Sequence, residues 1–124
     1  MKRSSDVLIV DDSAEMRSIL KALISAAGYR IQEAEDGLHA MALLEEMRPA
    51  AIILDMAMPR ADGLDVLKWM EGRTHLRNVP VLVLTAFHKM AHPDIMLPGV
   101  YRVIGKGEID YSQLPAIISE MIAA

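Results

Sequence analysis

The chain has 124 residues, of which 52% are hydrophobic and 24% are charged, and its net charge is −4. This length and composition predict one soluble globular domain, and no apolar run approaches the ~20 residues of a membrane-spanning helix. The N-terminus lacks the apolar region of a signal peptide. Cysteine is absent, which excludes disulfides and thiolate metal sites and favours a reducing cytoplasm. Dispersed lysine and arginine give no basic patch, so direct binding to nucleic acid is disfavoured.

Apolar periodicity predicts strands that alternate with helices along the chain. Short aliphatic runs predict strands at residues 7–10, 29–34, 51–54, 81–84 and 100–104. Helical spacing of apolar residues predicts helices at residues 16–27, 38–47, 63–70, 87–97 and 114–122. Ser13 or Asp12 is expected to cap the first helix and Ser112 the last, whereas Gly28 and Pro49 end the first two helices.

Five strands that alternate with five helices predict an α/β fold, a three-layer flavodoxin-like sandwich with right-handed crossovers. Its parallel five-stranded sheet is expected in the order 2-1-3-4-5. Strands 1 and 3 are then neighbours at the topological switch point. Because Asp11 and Asp12 follow strand 1 and Asp55 follows strand 3, we expect three carboxylates in one crevice.

The carboxylates indicate a metal site next to a nucleophile. Such groups repel one another unless a cation lies among them, and oxygen ligands alone favour Mg²⁺ or Mn²⁺. Thr85 and Lys106 follow strands 4 and 5, where a hydroxyl and an ammonium suit an incoming phosphoryl group. The arrangement predicts that Asp55 is a carboxylate nucleophile that accepts phosphate.

The residues at the strand ends resemble those of bacterial two-component receiver domains of the CheY-like family. The matching segments are Val7–Val10 with Asp11-Asp12, Asp55-Met56-Ala57-Met58-Pro59 with Gly63, Leu84-Thr85-Ala86, and Lys106. The resemblance implies a response regulator in which a sensor histidine kinase or phosphotransfer protein phosphorylates Asp55. It also implies no independent substrate turnover. Residues 1–124 are expected to form one receiver domain without an output domain, so output is expected by contact with a downstream protein.

The resemblance further implies a role for each site residue. Asp12, Asp55 and the backbone carbonyl of Ala57 would bind Mg²⁺ or Mn²⁺, with Asp11 acting largely through water. Thr85 and Lys106 would contact the phosphoryl oxygens. Phosphorylation would then shift the surface around strands 4 and 5 and the last helix.

Three departures from the family pattern are visible. Lys106-Gly107 replaces a Lys-Pro pair that is usually cis, and a non-proline cis bond costs ~3 kcal/mol, so we expect a trans bond. Val103 replaces the usual aromatic switch residue, while Tyr101, two residues earlier, is expected on the same strand face. Ala57 and Phe87 occupy positions that often modulate hydrolysis; because neither can hydrogen-bond an attacking water, slow loss of the phosphoryl group is predicted.

Other functions stay open at the level of sequence. A degenerate receiver would bind proteins without being phosphorylated. A flavodoxin-type electron carrier shares the fold, but Asp11-Asp12 would repel its flavin phosphate. An aspartyl phosphatase usually has an Asp-x-Asp pair after the first strand, which this chain lacks. His88 and His92 could ligate a metal if helical, although no third ligand accompanies them and a solvated helix face is favoured.

Overall fold

Five parallel strands lie at the centre of the fold. In the computed structural model, which describes residues 6–86 and 98–124, they are β1 Asp6–Val10, β2 Arg30–Ala34, β3 Ala51–Leu54, β4 Val81–Thr85 and β5 Val100–Gly105. The described helices are α1 Ala14–Ser25, α2 Gly37–Leu44, α3 Gly63–Glu71 and α4 Leu114–Ala123, with 3-10 turns at Thr74–Leu76 and Tyr111–Gln113. None of the described helices combines the length and apolarity needed to cross a membrane.

The sheet order is β2-β1-β3-β4-β5 with every pair parallel, which confirms the predicted flavodoxin-like topology. Val10, the last residue of β1, pairs with Ala34 of β2 and Leu54 of β3. Because these strands end in register, the residues that follow β1 and β3 emerge side by side. The fifth predicted helix, at residues 87–97, lies outside the described residues.

Alternating strand residues build a core on each face of the sheet. Leu8 and Val10 point towards α2 and α3, and Val7 and Ile9 point towards α1 and α4, and all four are fully buried. Strands that are buried on both faces read as continuous aliphatic runs, which is why the sequence predicted them well. The three layers hold the carboxyl ends of the strands on a rigid support.

Polar side chains fix where the helices begin. Ser13 Oγ accepts a hydrogen bond from the Met16 N–H at 3.1 Å, so Ser13 rather than Asp12 caps α1. Asp36 caps α2 in the same way, through the His39 N–H at 2.8 Å. Asp62 starts α3 with a reciprocal capping box, and loss of a cap of this kind typically costs ~1 kcal/mol.

Several predicted helix ends are wrong. Helix α1 ends at Ser25, two residues before the predicted end at residue 27. Helix α2 ends at Leu44 rather than residue 47, because the ring of Pro49 would clash with the carbonyl of residue 45 in a continuing helix. The Leu44 carbonyl instead contacts His75 Nε2 at 2.7 Å. Ser112 does not cap the last helix: Asp110 accepts from the Ser112 N–H at 3.0 Å and starts the 3-10 turn that leads into α4.

The expectation that Tyr101 and Val103 share a strand face is also wrong. Val81 pairs with Val100 while Leu82 pairs with Arg102, so β5 carries one extra residue opposite β4. Such a bulge interrupts the alternation of side chains. Val103 therefore packs with the α2–α3 core and Tyr101 with the α1–α4 core, on the opposite face of the sheet.

Candidate functional site

Three carboxylates meet where β1 and β3 end. Asp11, Asp12 and Asp55 each present an oxygen, and these oxygens all lie within 4.8 Å of one another. Asp11 and Asp55 are only 2% and 5% exposed, whereas Asp12 is exposed at the rim. The Asp55 N–H donates to the Val10 carbonyl at 2.9 Å, which anchors Asp55 beside β1. The fold thus brings together the acidic residues predicted to form one crevice.

Lys106, in the loop after the edge strand β5, also contacts this cluster. Its ammonium Nζ lies 2.8 Å from Asp11 Oδ2 and 3.7 Å from Asp55 Oδ2. Its backbone N–H donates to the Thr85 carbonyl at 2.8 Å, which fixes the start of the loop after β5. Thr85 itself is 1% exposed at the end of β4. The five residues singled out in the sequence therefore all lie at the carboxyl ends of neighbouring strands: Asp11, Asp12, Asp55, Thr85 and Lys106.

The electrostatics of the cluster favour an added cation. Burial raises the pKa of Asp55 to about 6; the Lys106 charge opposes this shift, and the negative charge of Asp11 adds to it. Burial alone would lower the pKa of Lys106, but its hydrogen bond to Asp11 and the charge of Asp55 raise that pKa overall. The cluster thus contains three carboxylates and one ammonium, so the negative charge of ionised Asp55 is not fully neutralised by its neighbours.

Close backbone packing shapes the loop that follows Asp55. The Gly63 N–H donates to the Met56 carbonyl at 3.1 Å. A Cβ on Gly63 would lie 2.6 Å from the Asp55 carbonyl oxygen, so only glycine fits there. This turn folds the loop back and leaves Ala57 exposed at the rim, where its backbone N–H acts to lower the pKa of the Asp55 carboxyl against the larger effect of burial. The turn thus keeps the backbone of Ala57 close to Asp55.

The altered loop after Lys106 keeps the lysine in place. None of the described peptide bonds is cis, which agrees with the trans bond expected at Lys106-Gly107. The Tyr111 hydroxyl donates to the Lys106 carbonyl at 3.2 Å and so stabilises the loop. The short distance from Lys106 to Asp11 therefore does not require a proline after the lysine. Phe87, His88 and His92 lie outside the described part of the chain.

Sequence reasoning missed two supporting residues. Arg17 donates from Nη1 to the Asp11 carbonyl at 2.6 Å and from Nε to Glu33 at 3.2 Å, so it holds the backbone of the acidic pair. Its place one turn after the α1 cap was a usable signal, because helical side chains point back towards the N-terminus. Tyr111 gave no comparable signal, since its contact depends on the path of the loop.

Comparisons with known proteins point to one family. A family model described as the response regulator receiver domain matches residues 7–118. Response regulator MprA of Mycobacterium sp. (strain KMS) is 35% identical over 119 residues, which cover 94% of this chain and 47% of that protein. The chain thus spans about half the length of the first curated relatives that it matches.

Solved structures show the same architecture. Chemotaxis protein CheY4 of Vibrio cholerae has a TM-score of 0.82 and 25% identity, with 95% of this chain and 98% of that chain covered. Response regulator TrrA of Thermotoga maritima, in complex with Mg²⁺-BeF, has a TM-score of 0.80 and 25% identity, with 98% and 99% covered. With the family match over most of its length, this chain belongs to the response regulator receiver domain family, the CheY-like signalling modules of two-component systems.

Proposed function

We propose that Asp55 accepts a phosphoryl group from a phosphohistidine of a sensor kinase or phosphotransfer protein, in a reaction that depends on Mg²⁺. The observation that carries this proposal is the position of Asp55: it is buried, belongs to a cluster of three carboxylates, and lies 3.7 Å from the Lys106 ammonium. Receiver domains are signalling modules rather than enzymes with independent turnover, so the product of this step is the modified protein itself.

The donor set fits a hard divalent cation. Three carboxylates within 4.8 Å supply only oxygen ligands, and Lys106 neutralises one of their charges. Mg²⁺ prefers such ligands and keeps water positions that phosphate oxygens can take over. Asp12, Asp55 and the Ala57 carbonyl would hold the ion, with Asp11 acting through water. When bound, the ion supplies charge neutralisation for the transferring phosphoryl group.

In the proposed step, a carboxylate oxygen of Asp55 attacks the phosphorus atom. The new O–P bond forms as the P–N bond of the phosphohistidine breaks, and the electron pair of that bond stays on the imidazole nitrogen. Lys106 and the Thr85 hydroxyl would donate hydrogen bonds to the phosphoryl oxygens as charge develops on them. Because Lys106 also binds Asp11 at 2.8 Å, phosphorylation redistributes contacts that already exist.

The signal would leave the domain through protein contact. Thr85 and Lys106 end β4 and β5, so a changed contact at either residue acts directly on the surface formed by these strands and α4. The downstream partner would read the resulting shift between two states. A cytoplasmic location, where the kinase's catalytic domains and ATP are found, is part of this proposal and accords with the absence of cysteine.

Intact mass after incubation with acetyl phosphate and Mg²⁺ tests the proposal. The wild type should gain one phosphoryl group, and Asp55→Asn should gain none. Glu71→Gln, which changes an exposed glutamate at the end of α3, is the matched control and should be modified like the wild type. An unmodified wild type, under conditions that label a known receiver, would instead support a degenerate receiver that binds proteins without phosphorylation.

A further inference from the structure

We infer that Arg60 and Asp36 form an ion pair that positions the β3–α3 loop, residues 55–62, for metal binding. This inference deepens the proposed function, because the loop contains both Asp55 and the Ala57 backbone. It makes Arg60 and Asp36 positioning residues that lie outside the carboxylate cluster and act on it through the backbone.

The buried carboxylate of Asp36 makes two separate contacts. It is 1% exposed, and one of its oxygens caps α2 by accepting from the His39 N–H at 2.8 Å. Its other oxygen binds the guanidinium of Arg60. The helix cap fixes Asp36 at the start of α2. The second oxygen therefore binds the loop at a position that is fixed relative to α2.

The backbone of Arg60 is unusual for its residue type. Its φ is +69°, in the left-handed region where glycine is the favoured residue. The same guanidinium also lies 3.5 Å from Glu35 Oε1. An arginine held in this conformation, with two acidic partners on the β2–α2 connection, indicates that its side chain contributes something glycine could not.

A backbone contact next to the ion pair docks the loop on α2. The Gly37 N–H donates to the Ala61 carbonyl at 3.1 Å, and a Cβ on Gly37 would collide with that same carbonyl oxygen. Ala61 is 6% exposed, so this contact is buried. Two contacts therefore join the start of α2 to the loop. Asp36 binds Arg60 through its side chain, and Gly37 binds Ala61 through the backbone.

These contacts determine where Ala57 lies. The loop is fixed to β1 through the Asp55 N–H at one end, and to α2 through Arg60 and Ala61 near the other. Ala57 lies between the two attachments, three residues before Arg60. Without the ion pair the intervening backbone would sample more conformations, and fewer of them would present the Ala57 carbonyl to an ion. Changes in the shell around metal ligands commonly weaken metal binding by ~10–100-fold, and we expect the lower part of that range.

Calorimetric titration of Mg²⁺ into the unphosphorylated chain tests the inference. Arg60→Gly removes the side chain while glycine keeps the left-handed turn, and Asp36→Asn removes the charge while asparagine still caps α2. Each variant should raise the Mg²⁺ dissociation constant by roughly ten-fold. The double variant should be no weaker than either single variant, because both remove the same contact. Arg73→Ala, which breaks the Arg73–Glu45 ion pair, should bind like the wild type.

Amide hydrogen exchange without metal gives an independent measure of loop position. The Gly37 and Gly63 amides, which bond to the Ala61 and Met56 carbonyls, should exchange faster in Arg60→Gly than in the wild type. The same amides should be unaffected in Arg73→Ala. This measurement reports on the loop alone, whereas a general loss of stability would increase exchange across the whole sheet.

The outcomes separate this inference from the proposed function. If wild type and variants bind Mg²⁺ equally well, the positioning role is overturned, whatever acetyl phosphate does. A wild type that binds no Mg²⁺ would overturn it as well. If Mg²⁺ affinity falls as expected but no phosphoryl group is gained at Asp55, the positioning role stands and the proposed phosphoryl transfer fails.

Discussion

The ionisation of Asp55 affects the stability of the domain. Its pKa of about 6 lies well above the ordinary value of 3.8, mainly because it is buried. Between these two values the folded state binds more protons than the unfolded state. The free energy of unfolding therefore falls as pH rises from about 4 to about 6, and the full penalty persists above that range. In the absence of metal, the ionised Asp55 side chain thus destabilises the folded domain.

Replacement of Asp55 by asparagine should remove this penalty. We predict that Asp55→Asn raises the free energy of unfolding by about 1–3 kcal/mol at pH 7.5, and that the advantage shrinks towards pH 4. Urea unfolding in the presence of EDTA, at several pH values, measures the effect. Glu46→Gln, which neutralises an exposed carboxylate on the surface, should follow the wild-type pH profile. A constant difference between wild type and Asp55→Asn across this range would contradict the raised pKa.

Ala57 should govern how long the phosphoryl group persists. Its methyl side chain lies exposed beside Asp55 and offers no hydrogen bond to an attacking water. We therefore predict slow hydrolysis, and a shortening of the half-life by roughly ten-fold or more in Ala57→Asn, whose amide can orient water. Ala57→Val adds bulk without an amide and should not accelerate the loss. Release of phosphate over time distinguishes them, and a wild-type half-life of seconds would be contrary to this prediction.

At the residue scale, the sequence predicted the cluster but not its supports. Asp11, Asp55 and Lys106 could be placed together because each follows a predicted strand, and the carboxyl ends of parallel strands lie at one edge of the sheet. Arg60 could not be predicted, since its partner Asp36 is 24 residues away and its left-handed φ falls where no glycine marks a turn. Side chains that meet through loop geometry leave no periodic signal.

At the scale of elements, the start of α3 requires a residue without a side chain, Gly63. Gly63→Ala would push a Cβ to within 2.6 Å of the Asp55 carbonyl oxygen and against Met56. We predict a loss of about 1–3 kcal/mol in the free energy of unfolding, typical of overpacking, together with weaker Mg²⁺ binding. Thermal or urea unfolding measures the first effect.

Gly107 supplies the matched control for this substitution. An added Cβ there meets nothing within 4 Å, and its backbone is outside the left-handed region. Gly107→Ala should therefore change stability by no more than about 0.5 kcal/mol. Equal losses in both variants would indicate a general cost of replacing glycine rather than a collision at α3.

The accuracy of the predicted elements varied with the signal behind them. Strands buried on both faces were placed to within a residue at most ends, because an unbroken aliphatic run marks them directly. The end of α2 was misplaced, since Met47 continues the apolar pattern past Leu44, while Pro49 prevents the helix from continuing. The bulge near Tyr101 was missed because an extra residue in an edge strand changes no residue type.

At the scale of the whole molecule, the carboxylate cluster couples metal binding to folding. Mg²⁺ that binds only the folded chain should stabilise it by about 2.7 kcal/mol at 100 times its dissociation constant. For a domain of this size, we predict an increase of several degrees in the melting temperature. Asp12→Ala should lose most of the increase, and Glu71→Gln should keep it, at constant ionic strength. Equal increases in all three proteins would indicate a non-specific salt effect.

The topology was predictable for a physical reason. Strands that alternate with helices must connect by right-handed crossovers, which leaves few sheet orders that bury both faces. Once β1 and β3 are neighbours, the acidic residues after them converge without further information. The fold and the acidic cluster therefore followed from the pattern of apolar runs, whereas the loop contacts required coordinates.

The contact between Lys106 and Asp11 joins residues that are 95 positions apart in the chain. Asp11 and Asp55 can come together once β1 pairs with β3, but the ammonium arrives only after β5 has paired with β4 at the edge of the sheet. A chain with its C-terminal third still unfolded would therefore contain an acidic pocket without its counter-charge. If Asp55 accepts a phosphoryl group as proposed, a chain in that state should be modified poorly, because Lys106 would not contact the carboxylates.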